Sequence, residues 1–336
     1  MTQAHPAELV ALGELLIDFT QAGTSPQGQA LFERNPGGAP ANVAVQAARL
    51  GVSSQLVARV GADMHGNYLL KCLADCDVDV SSVARDAQAF TTLAFVEVDE
   101  GTGERAFSFA RKPGADTRLS PDDLPEEALH SCRVLHVGSL SLTDEPARGT
   151  TLRAIQIAKS AGALLSYDPN YRANLWPSRD AALEQMSSLL EQADMVKMNE
   201  EEARLLCQTD DPEQAARRVL EQGASLVAVT LGAQGALVAT QAHAVRVPAP
   251  ACTPRDTTGA GDSFWGAMLC QLIRKLDVRS SDDLARLDET HLREAASFAC
   301  AAASLCVERP GAIPAMPNYA QVMERLGLLT SAEMPL

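Results

Sequence analysis

Short apolar runs alternate with segments of helical period along most of this 336-residue chain, and that rhythm limits the fold more than any other feature. Leu9–Ile17 reads as a buried strand, Ala41–Leu50 as a helix ended by Gly51, Leu56–Val60 as a strand and Asn67–Cys76 as a helix. Val134–Val137, Ala163–Tyr167, Met195–Met198 and Leu226–Thr230 read as further strands. Helices over Ala147–Ala161, Ala181–Gln192, Glu200–Cys207 and Pro212–Gln222 separate them. The strands are continuous apolar runs, as expected where both faces of a sheet are covered. Alternation of this kind predicts an α/β fold with a mostly parallel central sheet and helices on both sides. From about Thr253 the chain turns mostly helical: Gly261–Leu276, Glu289–Val307 and Asn318–Leu326.

Two stretches break the rhythm. Phe19–Arg34 and Phe90–Arg111 have no helical period, and the second holds two alternating strands around Asp99-Glu100-Gly101-Thr102-Gly103, a hairpin signal. Both fit a small β-sheet beside the core, either an active-site cover or a surface hairpin with no role.

Charge excludes some functions. Lys and Arg number 28 against 43 Asp and Glu, a net charge of −15, and the basic residues are scattered. No nucleic-acid partner is expected, because phosphate backbones need a basic stripe. An anionic substrate would need a local device to hold it. No run approaches the ~20 apolar residues of a membrane span, so no membrane partner is expected either. Leu9–Ile17 contains Glu14 and has no preceding Lys or Arg, unlike a signal peptide. The eight cysteines form no C-x-x-C pair, and most sit in apolar stretches. They read as reduced, buried thiols of a cytoplasmic protein.

The sharpest motif is Asp256-Thr257-Thr258-Gly259-Ala260-Gly261-Asp262-Ser263-Phe264, at the start of a long helix. Gly259, Ala260 and Gly261 leave backbone N–H groups free to converge on an anion, with the helix dipole behind them. A carboxylate beside a phosphate repels it, so Asp262 fits a base that takes a proton from an attacking hydroxyl. Read alone, Asp262 would be a helix cap. The chain has neither G-x-x-x-x-G-K-[ST] nor G-x-G-x-x-G, which excludes a P-loop and disfavours a Rossmann dehydrogenase. A second glycine-rich turn, Asn35-Pro36-Gly37-Gly38-Ala39-Pro40-Ala41-Asn42, feeds the next helix. Asn42 is polar among small apolar residues: a cap, a buried amide bonded to backbone, or a ligand contact. Asp18 is expected to end the first strand, at the carboxyl edge where α/β proteins bind ligands. An Asp and an Asn together suit a polyol.

The segments GELLID, NPGGAPANVAVQAARLG, VGADMHG, DPNYR, NEEEA, TLGAQG and DTTGAGDSF occur in the order found in the PfkB, or ribokinase-like, family of carbohydrate kinases. The resemblance runs from about Gly13 to Pro317. NPGGAPANVA, TTLAFV and DPNYRANLW look most like fructokinases.

The resemblance implies a ribokinase-like three-layer core over 1–18, 35–89 and 112–336, with a discontinuous β lid over 19–34 and 90–111. It implies Asp262 as catalytic base and Gly259, Ala260 and Gly261 as an anion hole. Asp18, Gly38 and Asn42 match sugar-hydroxyl contacts, and Arg111 and Arg172 match the substrate side; Phe95 and Phe109, on the second lid hairpin, are two apolar rings placed to cover a sugar's face. Lys197, Asn199, Glu202, Thr230, Gly232 and Gly235 match the nucleotide side, Asn199 and Glu202 being the pair that organises Mg²⁺. Read without it, Glu202 is an exposed helix residue and Gly232 and Gly235 a hairpin pair. Asp256, Thr258, Cys306, Arg309 and Gly311 match a monovalent-cation site of backbone carbonyls, for K⁺.

The expected activity is ATP-dependent phosphorylation of the primary hydroxyl of a small sugar, D-fructose above all, with ATP, Mg²⁺ and possible K⁺ as cofactors. Ribose and 2-keto-3-deoxygluconate are alternative acceptors, and a non-catalytic sugar-binding regulator is the alternative of another class. The exposed lid edge suggests a homodimer formed through the lid.

Overall fold

The computed structural model describes residues 6–98 and 105–328. Strands in chain order are β1 (Leu9–Leu12), β2 (Leu16–Thr24), β3 (Ala30–Gly37), β4 (Ser54–Gly61), β5 (Val78–Asp79), β6 (Val83–Asp86), β7 (Leu93–Val98) and β8 (Arg105–Ala110). They continue with β9 (Val134–Gly138), β10 (Leu164–Asp168), β11 (Met195–Asn199), β12 (Leu226–Thr230), β13 (Ala236–Ala239) and β14 (Ala244–Val247). The large sheet runs β14-β13-β12-β11-β10-β9-β1-β4-β5, with β6 also paired to β4. It is parallel except for the β12-β13-β14 end, where two antiparallel pairs close the edge.

Successive residues of a strand point to opposite faces, and β1 follows that rule. Val10 and Leu12 join a core with the helices Ala147–Ser160, Arg179–Leu190 and Pro212–Glu221. Leu9 packs on the opposite face with the helices Ala39–Arg49, Ala260–Cys270 and Glu289–Cys306. Both faces are covered, which is why the strands read as unbroken apolar runs. Element bounds agree with the sequence reading to within a few residues. The expected Gly261–Leu276 helix is regular only to Cys270 and continues as a wider π turn over Gln271–Lys275.

The run Leu9–Ile17 is not one strand. It divides at Gly13–Leu15: Gly13 N–H still donates to Val57 of the large sheet, whereas Ile17 N–H donates to Thr92, just before β7 of the small one. Asp18 therefore sits on β2 in the small sheet, not at the end of the first core strand. An apolar run carries no mark of which sheet each half will join.

The small sheet has the order β3-β2-β7-β8, antiparallel except for β2-β7. Its strands come from the two stretches that broke the rhythm. They begin earlier and end later than expected, since β2 starts at Leu16 and β3 reaches Gly37. The residues 99–103 of the expected turn lie outside the described residues. No helix among the described residues is long and apolar enough to cross a membrane.

Candidate active site

The carboxyl ends of β10, β11 and β12 bring Asp168, Asn199 and Thr230 to one edge of the large sheet. Parallel sheets collect ligands at this edge because loops and helix N-termini converge there. Above it lies a cleft of about 1110 Å³, lined by Asp18, Gly38, Asn42, Phe109, Arg172, Asn199, Thr230, Gly232, Thr258, Gly259, Gly261 and Asp262. A second cavity of about 420 Å³ opens beside it, walled by Ala249, Pro250, Ala251, Cys252, Ala303, Ser304 and Val307. Thr230, Gly232, Thr257 and Gly261 line both.

The junction is built by the helix Ala260–Cys270. Its N-cap, Gly259, has φ 75°, and a Cβ there would lie 2.6 Å from the Ala312 side chain. Only glycine lets the chain turn so sharply against the Ala312 loop. Asp262 follows in the first turn. Its Oδ2 accepts a hydrogen bond from Asn42 Nδ2 at 2.7 Å, across 220 residues of sequence. Asn42 is thus neither a cap nor a backbone-bonded amide: it grips the candidate base, and its own Oδ1 has no partner. Burial, reinforced by Asp168 and opposed by Lys197, pushes the Asp262 carboxyl up to about 6. Asp18 is pushed up to about 7, by burial first, with Arg172 opposing and Asp262 and Asp256 adding.

The nucleotide-side residues meet at the same edge. Lys197 is buried and pairs with Asp168 at 2.9 Å. Asn199 and Glu202 cap the helix Glu200–Cys207 reciprocally: Asn199 Oδ1 accepts from Glu202 N at 2.8 Å, and Glu202 Oε2 from Asn199 N at 2.9 Å. Glu202 Oε1 accepts from Tyr171 N–H. Glu202 is therefore buried, not an exposed helix residue, and both oxygens are occupied by backbone. Gly232 and Gly235 lie in the turn between β12 and β13, and also line the smaller cavity. Both readings of that pair hold.

The five residues matched to a cation site are joined in one cluster. Asp256 accepts from Thr258 N at 2.9 Å and from Gly311 N at 2.8 Å. The Cys306 thiol faces the Thr258 carbonyl at 3.9 Å, and Arg309 N–H donates to the Cys306 carbonyl at 3.4 Å. No group of three or more His, Cys, Asp or Glu side chains among the described residues forms a metal site.

Two substrate-side expectations fail. Across the small sheet Asp18 pairs with Ala94, and Ala94 with Phe109, so these share the cleft face. Phe95 is one residue on and points the other way, where it stacks on Phe19 at 5.3 Å. Arg111 does not line the cleft. Its Nε donates to Asp116 at 2.7 Å, Nη1 to Thr143 at 2.8 Å and Nη2 to the Leu140 carbonyl at 2.9 Å. It is a buried tie behind Leu140.

Sequence reasoning missed Glu14, Asp168 and the walls of the smaller cavity. Glu14 Oε1 accepts from Ala39 N at 2.9 Å, and burial pushes its carboxyl up to about 7. A lone carboxylate inside the Leu9–Ile17 run was its signal. Asp168, in the DPN triplet at a strand end, had a similar one. Ala249, Ala251 and Ala303 had none.

The family profile described as pfkB family carbohydrate kinase matches residues 6–318. The chain belongs to that family. It is 42% identical over 319 residues to fructokinase-1 of Zea mays, covering 94% of this chain and 96% of that one. Among solved structures it resembles the fructokinase of Xylella fastidiosa with bound ATP, at 32% identity and a TM-score of 0.85, covering 95% of this chain and 98% of that one. It also resembles the fructokinase of Vibrio cholerae O395 with fructose, ADP and calcium ion bound, at 34% identity and a TM-score of 0.83, covering 96% of this chain and 99% of that one. The ribokinase-like fold expected from sequence is the fold observed, and the enzyme is a carbohydrate kinase.

Proposed function

We propose that the enzyme transfers the γ-phosphoryl group of ATP to the primary hydroxyl of D-fructose, giving D-fructose 6-phosphate. The observation that carries this is the placement of Asp262 beside Gly261, where the polar cleft and the apolar cavity join. A sugar in the first and a nucleotide in the second would meet there. The fructokinases it resembles, one holding ATP and one fructose and ADP, support both occupants.

Asp262, near neutral pH mostly a carboxylate, accepts the proton of the sugar hydroxyl as that oxygen attacks phosphorus. The Asn42 amide fixes which Asp262 oxygen remains open. Backbone N–H groups of 259–261 and the helix dipole offset charge on the transferred group. Phe109 covers the sugar from the lid face, and closure keeps water from acting as acceptor. Mg²⁺ travelling with ATP supplies further charge neutralisation at the phosphates. Asn199 and Glu200 line the cleft where its water shell would lie, whereas Glu202 is spent on backbone N–H groups. We also propose a K⁺ at the Asp256–Gly311 cluster and a homodimer contact through the small sheet, both on the family resemblance alone.

A neutral acceptor suits this cleft. Glu14, Asp18 and Asp262 line it, and all three would repel a carboxylate. Of the two cations expected on the substrate side, Arg111 is consumed by Asp116, and Arg172, which does line the cleft, faces the carboxyl groups of Asp18 and Asp262. A sugar panel at fixed ATP tests the reading. Fructose should exceed ribose and 2-keto-3-deoxygluconate at least tenfold in kcat/KM, about 1.4 kcal/mol of discrimination. A keto-acid preference would overturn the choice of acceptor, and absence of ADP release with every sugar would overturn the kinase reading itself.

A further inference from the structure

Stability alone does not account for the buried Asp168–Lys197 pair. Lys197 is 5% and Asp168 1% exposed, and their charged atoms lie 2.9 Å apart. Taking two charges out of water costs several kcal/mol per ion, and apolar replacements of such pairs are often neutral or stabilising. Its position is the informative fact. A Cβ built on Gly261 would lie 2.9 Å from Lys197 Nζ. The ammonium therefore sits directly behind the glycine-rich loop, one backbone thickness from the cleft, and next to the residue that bears the candidate base. A methyl group at position 261 would have to displace the Lys197 ammonium, the far end of its side chain.

The charge arrangement around Asp262 is asymmetric. Asp168 on β10 and Asp18 on β2 supply negative charge near Asp262, and the buried Asp256 acts in turn on Asp18. Lys197 on β11 and Arg172 after β10 supply the positive charge, and Glu202 faces Lys197 from the helix behind it. Cys306, pushed up to about 12 by burial, is a neutral thiol and adds no charge. Lys197 is fixed by its ion pair with Asp168 at the sheet edge. We propose that the Asp168–Lys197 pair is a positioning and charge-setting device for Asp262: Asp168 holds the Lys197 ammonium directly behind the loop that carries the base, so that the two charges act on the base in opposite senses. Neither residue lines the cleft, so both act through Asp262 rather than on substrate. The proposal rests on the reading of Asp262 as the base.

The test is the dependence of kcat/KM on pH in Lys197→Met, Asp168→Asn and Lys197→Arg, with Asp262→Asn as reference. The acid limb missing from Asp262→Asn is the one to follow; if wild type and Asp262→Asn share every limb, the base assignment fails, and this proposal with it. Removing the cation should move that limb to higher pH, and removing the Asp168 charge should move it to lower pH, each by about one pH unit. Lys197→Arg should return it to the wild-type position. A pair that merely braces the loop would lower the rate in both variants without opposite displacements, and that result overturns the proposal while leaving the kinase reading intact. Should Lys197→Met fail to fold, Asp168→Asn decides alone: a limb that stays within about 0.3 pH unit of wild type, or moves upward, refutes it.

Discussion

The two ends of the active cleft are built on opposite principles. The proposed acceptor end is lined by Glu14, Asp18, Asn42, Arg172 and Asp262, groups able to hold a ligand by directed hydrogen bonds and charge. The proposed nucleotide end is walled mostly by apolar residues, Ala249, Pro250, Ala251, Cys252, Ala303 and Val307, with Ser304 and Thr257 among them. Polar specificity is concentrated where the reaction selects one hydroxyl among several, because an unpaired buried donor or acceptor costs about 1–3 kcal/mol. The flat apolar slot needs only to fit. Changes at the first end should therefore alter chemistry or acceptor choice, and changes at the second should alter nucleotide affinity alone.

The largest expected effect breaks the chemistry without touching either fit. Asp262→Asn keeps an acceptor for Asn42 and a helix-compatible side chain, yet cannot take a proton. Its kcat should fall by ~10²–10⁴, with ATP binding by calorimetry unchanged. More than half of the wild-type kcat would sink the assignment.

The pH profile comes next. A carboxyl raised to about 6 gains its active, ionised form as pH rises through that value, so activity is present above it and lost below. Between pH 7 and pH 5 the Asp262-dependent limb should fall roughly tenfold. A flat profile over this range would mean that Asp262 titrates elsewhere or is not the base.

Filling the apolar slot sharpens the contrast from the other side. Ala303→Phe should raise the KM for ATP about tenfold, equivalent to ~1.4 kcal/mol, and leave the KM for fructose unchanged. Equal increases in both constants would show that the two ends are not separable.

The smallest effects compare the two faces of the lid. Phe109→Ala should raise the KM for fructose severalfold, about 1 kcal/mol of lost apolar cover. Phe95→Ala should lower the melting temperature but leave that KM within about twofold, since its ring packs on Phe19 away from the cleft. A substrate effect at Phe95 as large as that at Phe109 would contradict the sheet register.

Much of the acceptor end was legible in the sequence, and almost none of the nucleotide wall was. Asp262, Asn42 and Asp18 stood out because a polar residue in a small or apolar context is costly unless it is used. Small apolar wall residues look the same in a cavity as in a core, so Ala251 and Ala303 gave no sign. Arg111 shows the opposite error. A cation at the end of the lid hairpin looked available to substrate, but its worth depended on Asp116, Thr143 and Leu140 folding around it.

By itself the sequence determined the layered α/β core, the two glycine-rich helix starts and the family. Periodicity and backbone conformation are local properties, set by side chains a few residues apart. Tertiary structure alone decided that Leu9–Ile17 divides between two sheets, that Phe95 turns away from the cleft while Phe109 faces it, and that Asn42 grips Asp262. Each of these depends on the register or contact of segments remote in the chain. In a β-sheet a shift of one residue reverses the face, and no local pattern records which partner a strand will meet.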